Sequence, residues 1–178
     1  MTQRWRTERP GADEHAPYYT GYIAEVPSGK DLIKALEHQG STMAALVRGI
    51  PESRGDFRYA EGKWSIKDVV LHVNDAERIF SYRALRFARN DATELPGFDE
   101  GNFAANGNAS SRTLADLAAE FEAIRASTLA LMAPLDDVVM ARRGRASGHG
   151  VTARAIAWIV AGHGGHHEKV LREKYLMG

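Results

Sequence analysis

The sequence predicts one all-α domain, a four-helix bundle with long crossover connections. Its 178 residues suit a single domain with a sizeable core. Four segments carry apolar residues at helical spacing, and a capping residue precedes each of them. No segment alternates strongly enough to predict a strand. Four amphipathic helices of this length most simply bury their apolar stripes against one another, which is the arrangement of a bundle.

The first segment of the chain is predicted to lie outside the bundle proper. We divide the chain into an extended N-terminal lead-in, 1–27, and a single bundle domain, 28–178. The lead-in shows no helical period and is interrupted by Pro10, Pro17 and Pro27. It also holds the cluster Tyr18, Tyr19 and Tyr22. We expect these aromatic rings to lay the lead-in against the domain.

The first two helices have clear beginnings. Helix one follows Ser28, its predicted N-cap with Asp31 three positions later, and ends near Pro51. Helix two follows Ser65, with Asp68 as the acidic member of a capping box, and runs to about residue 90. Residues 91–111 are rich in Gly, Asn, Asp and Pro, and are predicted to form a long crossover loop.

The last two helices are predicted in the same way. Helix three follows the box that begins at Thr113 and ends where Pro134 interrupts it. A second irregular stretch then contains Arg142, Arg143 and Arg145. Thr152 is the predicted cap of helix four, whose apolar stripe includes two histidines. Two long connections therefore separate the helices, and these permit a crossover topology.

Composition excludes several classes of protein. Lysines and arginines equal aspartates and glutamates at 23 each, so no net field gathers nucleic acid. No apolar run approaches the roughly 20 residues that span a bilayer, and no signal peptide is evident, so we expect a cytoplasmic protein with a small-molecule substrate, no nucleic-acid partner and no membrane partner. The absence of cysteine means that any metal site uses nitrogen and oxygen ligands.

The histidines of helix four suggest a metal site. His163 and His167 are four residues apart, so both project from one helix face, as in helical zinc sites. His72 lies on helix two, where packing against helix four would bring a third imidazole to the same point. Three nitrogen ligands leave a coordination position open for chemistry. Two alternatives remain: His166 pairs with His163 instead, or the histidines are hydrogen-bonded core residues.

Glycines surround these histidines within the last helix. Gly162, Gly164 and Gly165 each cost roughly 0.5–1 kcal/mol relative to alanine inside a helix. One interpretation is the close approach of another backbone or of a ligand. The other is a frayed or broken helix.

Several charged residues are candidates for roles around the metal. Asp75, Glu100 and His166 are candidate catalytic groups that accept a proton, together with Glu77 and Asp99. Arg83 and Arg86 are candidate substrate-binding residues for an anion, as is the cluster Arg142, Arg143 and Arg145. His149 is a further candidate for the site mouth. The alternative for each is a structural or solvated charge.

With these residues in view, the chain resembles the DinB family, whose relatives include mycothiol- and bacillithiol-dependent transferases. The resemblance covers nearly the whole chain. It is carried by Trp64-Ser65-Ile66-Lys67-Asp68 leading to His72, by Tyr82-Arg83-Ala84-Leu85-Arg86, by Leu95-Pro96-Gly97-Phe98-Asp99-Glu100, and by Ala157-Trp158-Ile159-Val160-Ala161-Gly162-His163-Gly164-Gly165-His166-His167.

The resemblance implies both a topology and a cofactor. It implies an up-up-down-down bundle that binds one divalent ion, zinc or nickel, through His72, His163 and His167. It also implies a low-molecular-weight thiol as a second cofactor of some relatives, and a homodimer. Our first hypothesis is therefore a metal-dependent transferase or hydrolase that activates water or a small thiol. A non-catalytic metal-binding stress-response protein and a metal-free helical interaction module are the alternatives.

Overall fold

Four long helices form the body of the molecule. A computed structural model describes residues 3–177. The long helices are α2 (Leu32–Gly49), α3 (Ile66–Ala88), α5 (Leu114–Met132) and α7 (Ala153–Val170). The shorter elements are α1 (Thr20–Glu25), α4 (Glu100–Asn106), α6 (Asp137–Met140), β1 (Arg143–Ala146) and β2 (His149–Thr152), and a π-helical segment, Leu171–Leu176, follows α7.

Side-chain caps fix where the long helices begin. Ser65 and Thr113 start α3 and α5 with the predicted capping boxes, and Thr152 caps α7 by accepting from the backbone N–H of Ala155. The cap predicted at Ser28 is wrong. The N-cap of α2 is Asp31, whose carboxylate accepts from two backbone N–H groups of the first turn, and a carboxylate there also complements the helix dipole.

The long helices pack as the sequence predicts. Helices α2 and α3 each pack against both α5 and α7. The all-α bundle class is therefore confirmed. One core cluster centres on Trp158, Trp5 and Phe87, and another on Phe121, Val70 and Met43. Among residues 3–177, no helix is long and apolar enough to cross a membrane.

The lead-in is more regular than predicted. Residues 1–2 of the predicted segment 1–27, and residue 178 of the predicted domain, lie outside the described residues. The rest of the lead-in carries three 3-10 turns and α1, so the prediction of a segment without helix is corrected. Six residues of α1 are too short to stand alone, and they pack on α7 instead. Trp5, 1% exposed, anchors the start of the chain: Trp158 Nε1 donates to its carbonyl oxygen at 2.9 Å.

A β-hairpin precedes α7, although no strand was predicted. Strands β1 and β2 pair antiparallel, with Ala146 opposite His149, so His149 belongs to a strand and not to a loop. Ser147 and Gly148 both have positive φ, +52° and +78°, as in the tight turns that join two-residue hairpins. Four-residue strands are too short to show a clear alternation, which is why the sequence pattern missed them. Gly144 lies against the ring of Phe87, where a β-carbon would clash.

The predicted crossover loop contains one short α-helix and a 3-10 turn, Ala109–Ser111. Helix α4 occupies residues 100–106 and begins at Asp99, whose side chain accepts from the backbone N–H of Asn102 at 2.8 Å. Asp99, a candidate proton acceptor, is therefore a helix cap. Before α4, Leu95 bonds to the hairpin through its backbone, and its N–H donates to Arg145 O at 2.9 Å. The loop and the hairpin thus form one unit beside α3.

Candidate metal centre

Three histidines converge where α3 packs on α7. His72 comes from α3, and His163 and His167 lie one turn apart on α7. One nitrogen from each ring can be chosen so that all three lie within 4.8 Å of one another. The two Nε2 atoms of His72 and His163 are 3.0 Å apart. Two nitrogens on one tetrahedral ion stand roughly 3.3 Å apart, so small ring movements bring the three within ligand distance.

Burial keeps these imidazoles neutral. Desolvation lowers the pKa of His72 from 6.5 to about 4 and, with a contribution from His72, lowers the pKa of His163 to about 3. Desolvation also lowers the pKa of His167, aided by the imidazoles of His163, His72 and His166. A neutral imidazole offers the lone pair that a metal needs. The cluster is therefore a set of ready nitrogen donors near pH 7.

The hydrogen bonds of the cluster are incomplete in a way that fits a cation. His167 Nδ1 is buried and has no hydrogen-bond partner among residues 3–177. The only hydrogen bond recorded between the rings joins His72 and His163. Buried polar atoms are rarely left unpaired, and a divalent ion would use these lone pairs. Within the described part of the chain, no carboxylate or further histidine joins the three as a fourth ligand.

The glycines of α7 make room for α1. A β-carbon at Gly162 would lie 2.1 Å from the carbonyl oxygen of Tyr22, so only glycine permits this contact. A β-carbon at Gly164 would lie 2.6 Å from Gln39 Oε1. Helix α7 is unbroken through this region. The close approach of another backbone is therefore confirmed at Gly162, and the broken helix is excluded.

Aromatic rings hold the histidines from both sides. The Trp64 ring lies 4.8 Å from the His72 ring, centroid to centroid. The Tyr22 ring makes edge contacts with His163 at 5.5 Å and His166 at 5.3 Å. The sequence pattern predicted Tyr22 only as part of an aromatic lead-in, and it gave Trp64 no role at the histidines. The Tyr22 contact depends on Gly162, and the glycines were the one sign of it in the sequence.

Two cavities open beside the histidines. The first, of about 400 Å³, reaches His163 and is lined by aromatic rings and by Arg83, Ser147 and Glu100. The second, of about 370 Å³, reaches His166 and His167 from the side of Trp64 and Tyr59. A larger groove of about 710 Å³ lies across α7, between α2 and the end of α1, and does not include the three histidines. Ligands can thus approach the cluster from two directions.

The structure separates the candidate catalytic residues. Glu100 lines the first cavity together with His163, and its charge contributes to a raised pKa of Tyr22, which is chiefly due to burial. His166 lines the second cavity beside His167 but does not belong to the set of three. Asp75 lies 3.8 Å from Arg78, and burial raises the pKa of its carboxyl. None of the three cavities is lined by Asp75.

The candidate arginines also differ in their surroundings. Arg83 is buried and lines the first cavity. Arg86 pairs with Asp91 and Tyr82 instead.

The arginine cluster before α7 is also engaged elsewhere. Arg142 donates to the carbonyl oxygen of Ala88, and Arg143 pairs with Asp13. Arg145 lies 3.7 Å from Glu94.

Glu77 belongs to a polar network inside the bundle. Its carboxylate accepts from Arg125 Nε at 2.7 Å and from Nη2 at 2.8 Å. Arg125 Nη1 donates to Leu36 O and to Gln39 Oε1. Gln39 Nε2 in turn donates to Ala161 O at 2.9 Å, so the network joins all four long helices. Glu77, a candidate proton acceptor by sequence, is a structural residue.

Comparisons with known proteins agree with this fold. The family model described as the DinB superfamily matches residues 6–171. No curated protein matches the chain by sequence. Among solved structures, YfiT from Bacillus subtilis, described as "a probable metal-dependent hydrolase with an unusual four-helix bundle topology", is similar with a TM-score of 0.70 and 19% identity. The similarity covers 89% of this chain and 93% of that one.

Proposed function

Because this chain belongs to the DinB superfamily, we propose that it is a metal-dependent hydrolase whose His72, His163 and His167 hold one divalent ion. The observation that carries the proposal is the convergence of three neutral imidazoles with no fourth protein ligand in the described part of the chain. A structural site is normally closed by four protein ligands, whereas a catalytic site keeps a position for water or substrate. Three ligands therefore favour catalysis over a purely structural role.

The donor set indicates which ions to expect. Imidazole nitrogens accept zinc, nickel, copper and iron, and the two that we expect are zinc and nickel. A bound divalent ion supplies a lowered pKa for its water and a positive charge that polarises the bond under attack. The polypeptide holds the donor rings in position. Trp64 and Tyr22 restrict the rings of His72 and His163, so the donors stay in place.

Glu100 is the residue that we assign to proton transfer. It lines the cavity that reaches His163, at the exposed first turn of α4. A carboxylate in that position accepts a proton from the attacking water and returns it to the leaving group. His166, which lines the second cavity and whose ring contacts the Tyr22 ring, is the alternative proton acceptor. We expect one of the variants Glu100→Gln and His166→Gln to lose activity while it keeps its metal, and that variant identifies the residue that transfers the proton.

Hydrolysis is preferred over thiol transfer for two reasons. The similar structure from Bacillus subtilis is described as a probable metal-dependent hydrolase. In addition, water needs no dedicated subsite, whereas a low-molecular-weight thiol needs its own binding groups. A thiol cofactor would have to occupy one of the two cavities that reach the histidines. Thiol transfer is therefore the outcome that the assay below must separate from hydrolysis.

The first part of the test is metal content. We expect the chain, purified without a polyhistidine tag, to hold one equivalent of metal by elemental analysis. His72→Ala, His163→Ala and His167→Ala should each lose it. His166→Ala and the exposed His38→Ala are matched controls that should keep it. A wild-type protein that stays empty after zinc and nickel are added would exclude the proposal.

The second part is activity. The loaded protein is assayed on a panel of carboxylic esters and amides, with and without added thiol. We expect release of the acid product without thiol, and none in the three histidine variants that lose metal. Turnover only in the presence of thiol would identify a transferase. Full metal occupancy with no turnover of either kind would favour a non-catalytic metal-binding protein.

A further inference from the structure

The cavity beside His163 contains a buried positive charge that no carboxylate neutralises. Arg83 is 4% exposed, yet among residues 3–177 no aspartate or glutamate forms an ion pair with it. Its Nη2 donates to Pro96 O at 2.8 Å and to Ser147 Oγ at 3.0 Å. Both acceptors are neutral. A buried charge without a counter-ion is costly, so the missing partner requires an explanation.

The remaining donors of Arg83 are also available. A guanidinium has five N–H groups, and the two on Nη2 account for both of these bonds. Three N–H groups, on Nε and Nη1, have no carbonyl or carboxylate acceptor among residues 3–177. The Tyr19 hydroxyl also hydrogen-bonds to Arg83, but burial raises the pKa of Tyr19, so this partner is neutral and does not offset the charge. The guanidinium therefore retains its charge, and it has more donors than these neutral partners use.

The walls of the cavity define the rest of the ligand. Tyr18, Tyr19, Phe80 and Phe98 line it, and these rings bind an apolar or aromatic body. The Phe80 ring lies 5.8 Å from His163, so the apolar section leads to the three-histidine end. Glu100 is the acidic residue of the lining. Glu100 forms no ion pair with Arg83, so a single guanidinium is left to bind an anion, which suits a singly charged anion better than a dianion.

The spacing along α3 sets the shape. His72 and Arg83 are eleven residues apart on one helix, an axial rise of about 16 Å. Arg83 and His163 line the same cavity, so a ligand bound to the guanidinium can extend through that cavity toward the histidines. An acid group bound at Arg83 is therefore several bonds away from any group at His163. A compact acid such as acetate would not reach both.

We propose that the substrate is an elongated monocarboxylic acid whose carboxylate binds Arg83, whose apolar section packs among the aromatic rings, and whose scissile ester or amide lies at the histidines. This inference rests on the proposed hydrolase for the scissile bond alone. The carboxylate site at Arg83 stands on its own observations, so binding and catalysis are tested separately.

The test compares acids with their neutral amides. ω-Phenylalkanoates, from phenylacetate to 6-phenylhexanoate, and the corresponding amides are titrated calorimetrically into the full-length protein as purified. We expect at least one acid of intermediate or greater length to bind at least about tenfold more tightly than its amide. Arg83→Gln should abolish that preference. Arg86→Gln, which removes a charge from the same helix outside the cavity lining, should leave it unchanged.

The preference for acid over amide separates the binding role from a structural one. Arg83 also ties Pro96 and Ser147 to α3, so its loss could loosen the cavity. A loosened cavity weakens acid and amide alike, whereas loss of the charge weakens the acid alone. Equal binding of every acid and its amide by the wild type, or an unchanged preference in Arg83→Gln, would overturn the inference.

A crystal structure of the wild type with the tightest acid gives a second answer that does not depend on how the variant folds. A carboxylate within hydrogen-bond distance of Arg83 Nε or Nη1 supports the inference, and a carboxylate bound elsewhere overturns it. Acid binding at Arg83 without hydrolysis of any ester would leave the carboxylate site intact and exclude the hydrolase. Hydrolysis of esters with no preference for acids over amides would support the hydrolase and overturn the carboxylate site.

Discussion

Two buried arginines show how differently the two polar regions of this bundle are built. Arg125, 2% exposed, has a bidentate carboxylate partner in Glu77 and two further acceptors, Leu36 O and Gln39 Oε1. Arg83, 4% exposed, has two neutral acceptors and no ion pair within the described residues. The first region is saturated, and its role is to join helices. The second holds unused charge and donors beside a cavity.

The histidine cluster belongs with Arg83 in this comparison. His167 Nδ1 is buried and has no hydrogen-bond partner among the described residues, and Arg83 is buried without a carboxylate partner among them. Buried polar groups without a hydrogen-bond partner destabilise a fold by about 1–3 kcal/mol each. A region that tolerates them is typical of a site whose ligands complete it. The histidines and Arg83 combine unsatisfied polar groups with neighbouring cavities, and both features favour a binding role for this region.

The largest expected effect comes from breaking the saturated region. Glu77→Ala leaves Arg125 buried and unpaired, and it should lower the free energy of unfolding by about 3–5 kcal/mol in urea denaturation. The control is Glu122→Ala, which breaks the half-exposed pair with Arg48 and should cost about 0–1 kcal/mol. Similar losses in the two variants would mean that the buried network is not a structural centre.

The second effect comes from filling the unsaturated region. Zinc or nickel at roughly a hundredfold above its dissociation constant should stabilise the wild type by about 2.7 kcal/mol, because only the folded chain presents the three imidazoles together. Differential scanning calorimetry before and after chelation measures this. His167→Ala should show no such difference, whereas Glu122→Ala should retain it. If neither the ion nor the chelator changed the thermal stability of the wild type, the histidine region would not be a metal-binding region.

The third effect concerns the contact that carries Tyr22 to the histidines. Gly162→Ala places a β-carbon against the backbone of Tyr22, and such overpacking should cost about 1–3 kcal/mol. It should also move α1 away from α7, which intrinsic fluorescence and proteolysis of the lead-in would report. Gly21→Ala on α1 is the matched control, since a β-carbon there meets nothing within 4 Å. Equal stability of both variants would show that α1 does not depend on this glycine.

The smallest effect is a pH dependence of stability that comes from Glu14, a buried carboxylate whose hydrogen-bond partners are present. Burial tends to raise the pKa of Glu14, but hydrogen bonds from Arg154, Gly11 and Thr152 outweigh it and lower the pKa to about 2. The ionised form is therefore favoured by folding, so its contribution is complete above pH 4.5 and is lost as pH falls toward 2. The full shift in pKa corresponds to about 3 kcal/mol, and because the Arg154 side chain is partly exposed and solvent screens the pair, we expect a loss of about 1–2 kcal/mol over that interval. Glu14→Gln should flatten the acid limb of the stability curve, and an unchanged limb would contradict the assignment.

Local chemistry explains why much of the fold was predictable. The three long helices that begin at Ser65, Thr113 and Thr152 start where their capping residues stand. Capping and apolar spacing act within one or two turns, so a sequence displays them directly. The spacing of His163 and His167 is local in the same sense. Their convergence with His72 follows once α3 packs on α7.

The sequence by itself thus determined the bundle, most helix ends and the three histidines brought together in the structure. Tertiary structure alone decided which polar groups find partners. Glu77 and Arg125 are 48 residues apart, and Glu14 and Arg154 are 140 apart, so no local pattern links them. The hairpin, the contact of α1 with Gly162 and the neutral surroundings of Arg83 likewise have no local pattern that reveals them. Whether a charged side chain can bind a ligand depends on whether distant parts of the chain neutralise its charge, and only the packing of the chain determines that.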